Sequence, residues 1–199
     1  MLRLFPCLLI LLFSGYVQST TLLVLGDSLS AGYQMPIEKA WPSLLPEALQ
    51  QRDKQVTVIN GSISGDTTGN GLARLPALLS EHQPDVVLIE LGANDGLRGF
   101  PPTLIEKNLN QLIDQIQGQQ SKAILMQIHV LPNYGKRYTQ AFSALFPNVA
   151  SSRNIPLVPF FLEGVIARPE WMMEDGLHPR PEAQPWIAEF VAQQIADHL

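Results

Sequence analysis

Five short apolar segments recur along the chain, and stretches with helical spacing lie between them. The segments are rich in β-branched and other apolar residues and are bounded by turn formers, which is typical of buried parallel strands. They are Thr21–Gly26, Gln55–Asn60, Asp85–Leu91, Lys122–Ile128 and Ile155–Pro159. The prolines of the last segment favour an edge strand. The alternation predicts an α/β domain with a five-stranded parallel sheet.

Three of the intervening stretches repeat apolar residues at intervals of three and four, as one face of a helix does. The repeats are Leu72, Leu75 and Leu79; Ile105, Leu109, Leu112, Ile113 and Ile116; and Trp186, Ile187, Phe190, Val191 and Ile195. Neither an internal repeat nor a linker-like stretch interrupts the pattern. We therefore expect residues 20–199 to form a single domain.

Residues 1–19 have the pattern of a secretory signal peptide. Arg3 precedes the apolar run Leu4–Phe13, and a polar stretch follows it. The run is about half of the roughly 20 residues needed to span a bilayer, so a cleaved signal is favoured over an anchor. The only cysteine, Cys7, lies inside this segment, so the remaining chain has no disulfide. We expect a periplasmic or secreted protein.

Charge and residue spacing exclude several classes of partner. The formal net charge is −5 and the chain contains no run of Lys or Arg, which argues against nucleic acid and anionic membranes. No Cys/His spacing suits a metal site, so no metal is expected. We therefore expect neither nucleic acid nor a membrane surface to be the main partner.

Ligands of open parallel sheets bind outside the carboxyl ends of the strands. The loops that follow the predicted strands there are small, polar or Gly-rich. They are Gly26–Leu29, Gly61–Thr68, Gly92–Asp95 and His129–Tyr134. We therefore expect functional residues in these loops.

Ser28 directly follows the first predicted strand, where a serine is either a helix cap or an exposed nucleophile. A nucleophilic serine needs a base, and of the four histidines only His178 has a carboxylate, Asp175, three residues before it. Asp175 could orient the imidazole while the other ring nitrogen faces Ser28. A plain surface turn explains the same pair.

Three groups in these loops could stabilise an oxyanion by hydrogen bonding. They are the N–H of Ser28, the N–H of Gly65 and the side-chain amide of Asn94. Gly65 and Asn94 are also ordinary turn residues. The presence of all three donors at neighbouring strand ends favours the catalytic interpretation.

These residues form four ordered blocks: Gly26-Asp27-Ser28-Leu29, Gly65, Gly92-x-Asn94-Asp95 and Asp175-x-x-His178. In these blocks the chain resembles the SGNH (GDSL) hydrolases, and from about residue 22 to 196 it is similar to their bacterial periplasmic thioesterases, lysophospholipases and arylesterases. The resemblance implies a three-layer α/β/α, flavodoxin-like fold and no cofactor.

For the site, the resemblance implies that Ser28 is the nucleophile, His178 the base and Asp175 the residue that orients it. It places Ser28 N–H, Gly65 N–H and the Asn94 amide in the oxyanion hole. The implied activity is hydrolysis of acyl thioesters and esters, including lysophospholipids, through an acyl-enzyme on Ser28.

Five apolar residues near the carboxyl-end loops are candidates for binding an acyl chain: Leu97, Phe100, Val130, Leu131 and Pro132. Two other functions stay open at this point. One is a carbohydrate O-acetylesterase, which the apolar candidates disfavour, and the other is a lipid-binding module without catalysis. We expect a monomer without a membrane anchor.

Overall fold

A computed structural model describes residues 19–130 and 132–199, whose strands form one five-stranded, all-parallel sheet. The strands are β1 (Thr20–Gly26), β2 (Val56–Asn60), β3 (Val86–Glu90), β4 (Lys122–Met126) and β5 (Leu157–Val158). Their order is β2-β1-β3-β4-β5, which is the flavodoxin-like order. The direction of strand order reverses beside β1, where ligands bind in such sheets. The predicted fold is confirmed.

Helices cover both faces of the sheet. They are α1 (Ser28–Ala31), α2 (Trp41–Gln50), α3 (Thr68–His82), α4 (Ala93–Leu97), α5 (Pro102–Gly118), α6 (Lys136–Arg153), α7 (Leu162–Ile166) and α8 (Gln184–Ile195). One core lies between the sheet and α2, α7 and α8, and a second lies between the sheet and α3, α5 and α6. The result is three layers, as expected.

The side chains of β1 explain why the strands read as continuous apolar runs. Leu22 and Val24 enter the core on the α2 side, whereas Leu23 and Leu25 enter the core on the α3 side, and all four are fully buried. Alternate side chains of a strand point to opposite faces. Because helices cover both faces, the central positions of the strand are apolar on both sides.

Several predicted boundaries change in the structure. The last strand is only Leu157–Val158, since Pro156 and Pro159 have no N–H to donate to a neighbour.

Helices α2 and α6 were not predicted from the apolar spacing. Pro46 lies inside α2 and Pro147 inside α6, and an interior proline normally argues against a helix.

The predicted signal peptide, residues 1–19, lies outside the described residues except for Ser19. Among the helices of 19–130 and 132–199, none is both long and apolar enough to cross a membrane.

Candidate active site

The carboxyl ends of β1, β2 and β3 deliver three of the predicted site residues. Ser28 is the first residue of α1, directly after β1, and Asp27 caps that helix. Gly65 lies between β2 and α3 with φ of +86°, a conformation that favours glycine. Asn94 lies in α4, directly after β3. Parallel pairing of the strands brings these loops to one edge of the sheet.

His178 reaches the same edge from the loop between α7 and α8. That loop folds back on itself, since the N–H of Met173 donates to the carbonyl of His178 at 2.8 Å and Met172 pairs with Pro179. His178 Nε2 lies 2.8 Å from Ser28 Oγ, although 150 residues separate the two along the chain. The hydroxyl and the imidazole are within hydrogen-bond distance.

Asp175 holds the other side of the imidazole. Its Oδ2 lies 2.7 Å from His178 Nδ1, and its Oδ1 accepts from the N–H groups of Leu177 at 2.9 Å and His178 at 3.0 Å. Burial raises the pKa of the Asp175 carboxyl, but the bonds from Leu177 and His178 outweigh it and leave that pKa below its ordinary value. An ionised Asp175 fixes Nδ1 as the protonated nitrogen, so Nε2 faces Ser28 as an acceptor.

Tyr33 packs on the face of the His178 ring. The two ring centroids are 4.1 Å apart and the planes differ by 25°. Gly32, in a left-handed conformation with φ of +78°, ends α1 and turns the chain toward this position. Sequence analysis missed Tyr33, since nothing in the sequence links it to a residue so distant along the chain.

Two of the three predicted oxyanion donors are free. In the part of the chain that the structure describes, the N–H groups of Ser28 and Gly65 donate to no acceptor. The Asn94 amide is engaged, since its Nδ2 donates to Asp66 O and to Asp27 Oδ2, at 3.0 Å in each case. The structure therefore brings the three donor-bearing loops together, with Asn94 bonded to both of the other loops.

Arg74, on α3, ties these loops to one another. Its Nε donates to Asp66 Oδ2 at 2.6 Å, its Nη2 donates to Gly26 O at 3.2 Å, and its Nη1 donates to Gly61 O. The guanidinium thus contacts the ends of β1 and β2 and the residue after Gly65. Five donors in a rigid fork suit arginine to such a three-way contact.

Two carboxyl groups are fully buried beneath the Ser28 turn. Glu90, the last residue of β3, accepts from Ser30 Oγ at 2.7 Å and from Asp27 N at 3.3 Å. Burial, reinforced by the charge of Asp27, raises the pKa of Glu90 well above its ordinary value. Burial also raises the pKa of Asp27 to about 7, against bonds from Leu29 N–H and Asn94. Burial thus shifts the pKa of both carboxyl groups in the same direction, toward the protonated form.

A largely apolar cavity of about 120 Å³ opens beside Ser28 and His178. Its other lining residues are Leu29, Ala93, Asn94, Leu97, Ile128, His129, Val130, Phe160, Leu162, Ile166, Met172, Gly176 and Leu177. Apolar walls with a few polar groups at one end are typical of small-molecule sites.

Only two of the five residues predicted to bind an acyl chain line this cavity in the described part of the chain. Leu97 and Val130 line the cavity. Phe100 is outside its lining, because it packs against the core on the α3 side of the sheet. Leu131 lies outside the described residues, and Pro132 begins a short 3-10 turn, Pro132–Tyr134.

Sequence analysis missed the part of the cavity wall that comes from the end of the chain. Ile166 ends α7, and Met172 and Leu177 lie in the loop that carries His178. The residues predicted to bind the acyl chain all lie in or near loops that follow strands, whereas this loop follows a helix. Its proximity in sequence to Asp175 and His178 was the available signal.

Within 19–130 and 132–199, the structure describes no group of three or more His, Cys, Asp or Glu side chains able to hold a metal ion.

Residues 24–184 match the GDSL-like lipase/acylhydrolase family. The chain is 64% identical to an arylesterase of Vibrio mimicus over the full length of both proteins. It is 50% identical to thioesterase 1/protease 1/lysophospholipase L1 of Escherichia coli K12, over 94% of this chain and 88% of that protein.

Solved structures of esterases have a similar fold. The crystal structure of a psychrotrophic esterase, EstA, from Pseudoalteromonas sp., inhibited by monoethylphosphonate, superposes with a TM-score of 0.86 and 40% sequence identity. The superposition covers 90% of this chain and 98% of EstA. With its fold, its ordered blocks and these matches, the chain belongs to the GDSL-like lipase/acylhydrolase family.

Proposed function

We propose that the protein hydrolyses acyl esters and thioesters through an acyl-enzyme on Ser28. The observation that carries the proposal is the chain of contacts from Asp175 through His178 to Ser28, with distances of 2.7 and 2.8 Å. A serine becomes nucleophilic when an oriented base takes its proton, and this arrangement provides that base.

In the first half-reaction, Ser28 Oγ attacks the substrate carbonyl carbon while His178 Nε2 takes the hydroxyl proton. The ionised Asp175 stabilises the imidazolium that forms. The bond to the leaving sulfur or oxygen then breaks, and the imidazolium returns its proton to that atom. The products are a thiol or an alcohol and an acyl group on Ser28.

The negative charge on the carbonyl oxygen is stabilised by the N–H groups of Ser28 and Gly65 and by the Asn94 amide. Donors of this kind contribute about 3–4 kcal/mol each to transition-state stabilisation. In the second half-reaction, water attacks the acyl carbon, His178 takes a proton from the water, and Ser28 leaves as the free hydroxyl. No cofactor takes part.

The apolar cavity favours an acyl chain as the part of the substrate that is recognised. The names of the relatives, an arylesterase and a thioesterase/lysophospholipase, support the same range of small-molecule esters. A carbohydrate O-acetylesterase would need polar walls for a sugar, and a module without catalysis would not need the Asp175–His178–Ser28 contacts. Both alternatives are therefore disfavoured.

We also propose that residues 20–199 act as a monomeric single domain outside the cytoplasm. The basic start and the apolar run of residues 1–19 support export. Determining the N-terminal residue of the exported protein tests the cleavage, and light scattering tests the monomer.

Hydrolysis of p-nitrophenyl esters, acyl-CoA and lysophosphatidylcholine by the wild type, Ser28→Ala and His178→Ala tests the proposal. Each variant is expected to lose at least about a thousandfold in kcat on every substrate. A matched control is Ser43→Ala, whose hydroxyl donates only to Ile37 O, outside the site, and whose activity should not change. Full hydrolysis by Ser28→Ala would overturn the proposal.

A further inference from the structure

The carboxylate of Asp27 contacts both the turn that carries Ser28 and the side-chain amide of Asn94. Ser28 and Asn94 bear two of the three proposed oxyanion donors. Asp27 Oδ1 accepts from Leu29 N at 3.0 Å, which fixes the turn that carries Ser28, and its Oδ2 accepts from Asn94 Nδ2 at 3.0 Å. The side chain is fully buried. A helix cap needs only the first of these bonds.

We propose that Asp27 is a positioning residue of the oxyanion hole, which holds the Asn94 amide where it donates to the developing oxyanion. This inference rests on the proposed function, because it assumes that Asn94 stabilises that oxyanion. Asp27 itself does not touch the reacting atoms.

The carboxylate form of Asp27 fits its contacts. Both of its oxygens accept hydrogen bonds, and neither bond requires a proton on Asp27. Burial, with the charges of Asp95 and Asp66, raises the pKa of Asp27 to about 7, so Asp27 is ionised on the alkaline side of neutrality.

The amide of Asn94 must exchange one partner during catalysis. Its Nδ2 has two hydrogens, and in this structure they go to Asp27 Oδ2 and to Asp66 O. A bond to a carboxylate is roughly twice as strong as one to a neutral carbonyl. The oxyanion therefore replaces Asp66 O, and Asp27 keeps hold of the amide throughout the reaction.

The substitution Asp27→Ser separates the contact with Leu29 N from the contact with Asn94. Serine is a good N-cap, so Asp27→Ser keeps an acceptor for the helix end, but its side chain is too short to hold Asn94. We expect kcat on p-nitrophenyl butyrate to fall at least about tenfold and KM to change by less than about threefold, because the lost contact acts in the transition state.

A double-mutant cycle with Asn94→Ala tests whether Asp27 acts through Asn94. Asn94→Ala alone is expected to lower kcat about a hundredfold. In that background Asp27→Ser should lower kcat by no more than about twofold, because the amide that it would position is gone. The same fold loss in both backgrounds, or no loss in either, would overturn the inference.

The control is Asp85→Ser. Asp85 Oδ2 accepts from Thr21 N at 2.7 Å, so it too is a carboxylate that binds backbone, but it lies at the opposite edge of the sheet. The kcat of Asp85→Ser should stay within about twofold of the wild-type value, and thermal unfolding of the variant reports any loss of stability. Should Asp27→Ser not fold, Asp27→Gly takes its place in the cycle, since glycine is also accepted at a helix N-cap and has no side chain to reach Asn94.

The cycle separates this inference from the function on which it rests. Full activity of Asn94→Ala would remove Asn94 from the proposed oxyanion hole. A large loss in Asn94→Ala together with a wild-type kcat in Asp27→Ser or Asp27→Gly would leave the proposed function in place and refute only the role of Asp27.

Discussion

The ring of Tyr33 lies on the imidazole of His178, with 4.1 Å between the ring centroids. An aromatic face stabilises a neighbouring cation by about 0.5–2 kcal/mol, and His178 becomes a cation when it takes the proton of Ser28. The stack also restricts the rotation of the imidazole. Tyr33 is therefore expected to support His178 as the proposed base.

We expect Tyr33→Ala to lower kcat/KM on p-nitrophenyl butyrate by about three- to thirtyfold, through loss of this stack. Tyr33→Phe keeps the ring and removes only a hydroxyl that accepts from Gln34 Nε2, so it should remain near wild-type activity. Steady-state kinetics of the two variants measures the difference. Equal losses in both would assign the effect to the hydroxyl instead.

We expect Arg74 to contribute to the free energy of unfolding and to kcat, because it connects the ends of β1 and β2 to the Gly65 loop. Arg74→Ala leaves partly buried acceptors without their donor, which costs about 1–3 kcal/mol, and we expect kcat to fall at least about tenfold as the loop loosens. Arg52→Ala is the control, since Arg52 pairs with the half-exposed Glu189 and such pairs contribute about 0–1 kcal/mol. Urea unfolding and kinetics on both variants check this prediction, and equal free energies of unfolding would contradict it.

We expect the titration of Glu90 to lower the free energy of unfolding as pH rises. Its pKa is raised in the folded state, so above the ordinary value of 4.5 the folded state binds more protons than the unfolded chain, and stability falls with increasing pH. Glu90→Gln removes the titrating group. We expect a flatter dependence of Tm on pH between 5 and 8, and at pH 8 a Tm about 2–4 °C above the wild type, equivalent to about 1 kcal/mol.

Differential scanning fluorimetry across this pH range measures both slopes. The matched comparison is Glu106→Gln, at an exposed position of α5, which should leave the slope as it is in the wild type. A Glu90→Gln slope equal to that of the wild type would show that the titration of Glu90 does not contribute.

Ile166 should affect the preference for acyl-chain length. It lines the cavity although its exposed fraction is 52%. Truncation to alanine removes contact with a long chain and none with an acetyl group. We expect Ile166→Ala to lower kcat/KM for an octanoyl ester by about two- to fivefold relative to the acetyl ester, at about 0.8 kcal/mol for each buried methylene lost.

The control for chain length is Leu104→Ala. Leu104 is 40% exposed on α5, outside the residues that line the cavity, and its truncation should change both esters alike. An unchanged ratio in Ile166→Ala would place the acyl chain elsewhere.

The alternation of buried strands and amphipathic helices could be predicted from the sequence, because a strand covered on both faces is apolar along most of its length. The same reasoning located Ser28, Gly65 and Asn94, since each directly follows a strand or lies in the loop after one. It failed for α2 and α6, where interior prolines conceal helices that tertiary packing stabilises.

By itself, then, the sequence determined the alternation of strands and helices and the loops in which Ser28, Gly65 and Asn94 lie, because these depend on periodicities of a few residues. Only the tertiary structure decided which groups meet. His178 reaches Ser28, Tyr33 covers His178, and Asp27 holds Asn94 through contacts between segments far apart in the chain. Such contacts depend on how loops pack at one edge of the sheet, and no local spacing records them.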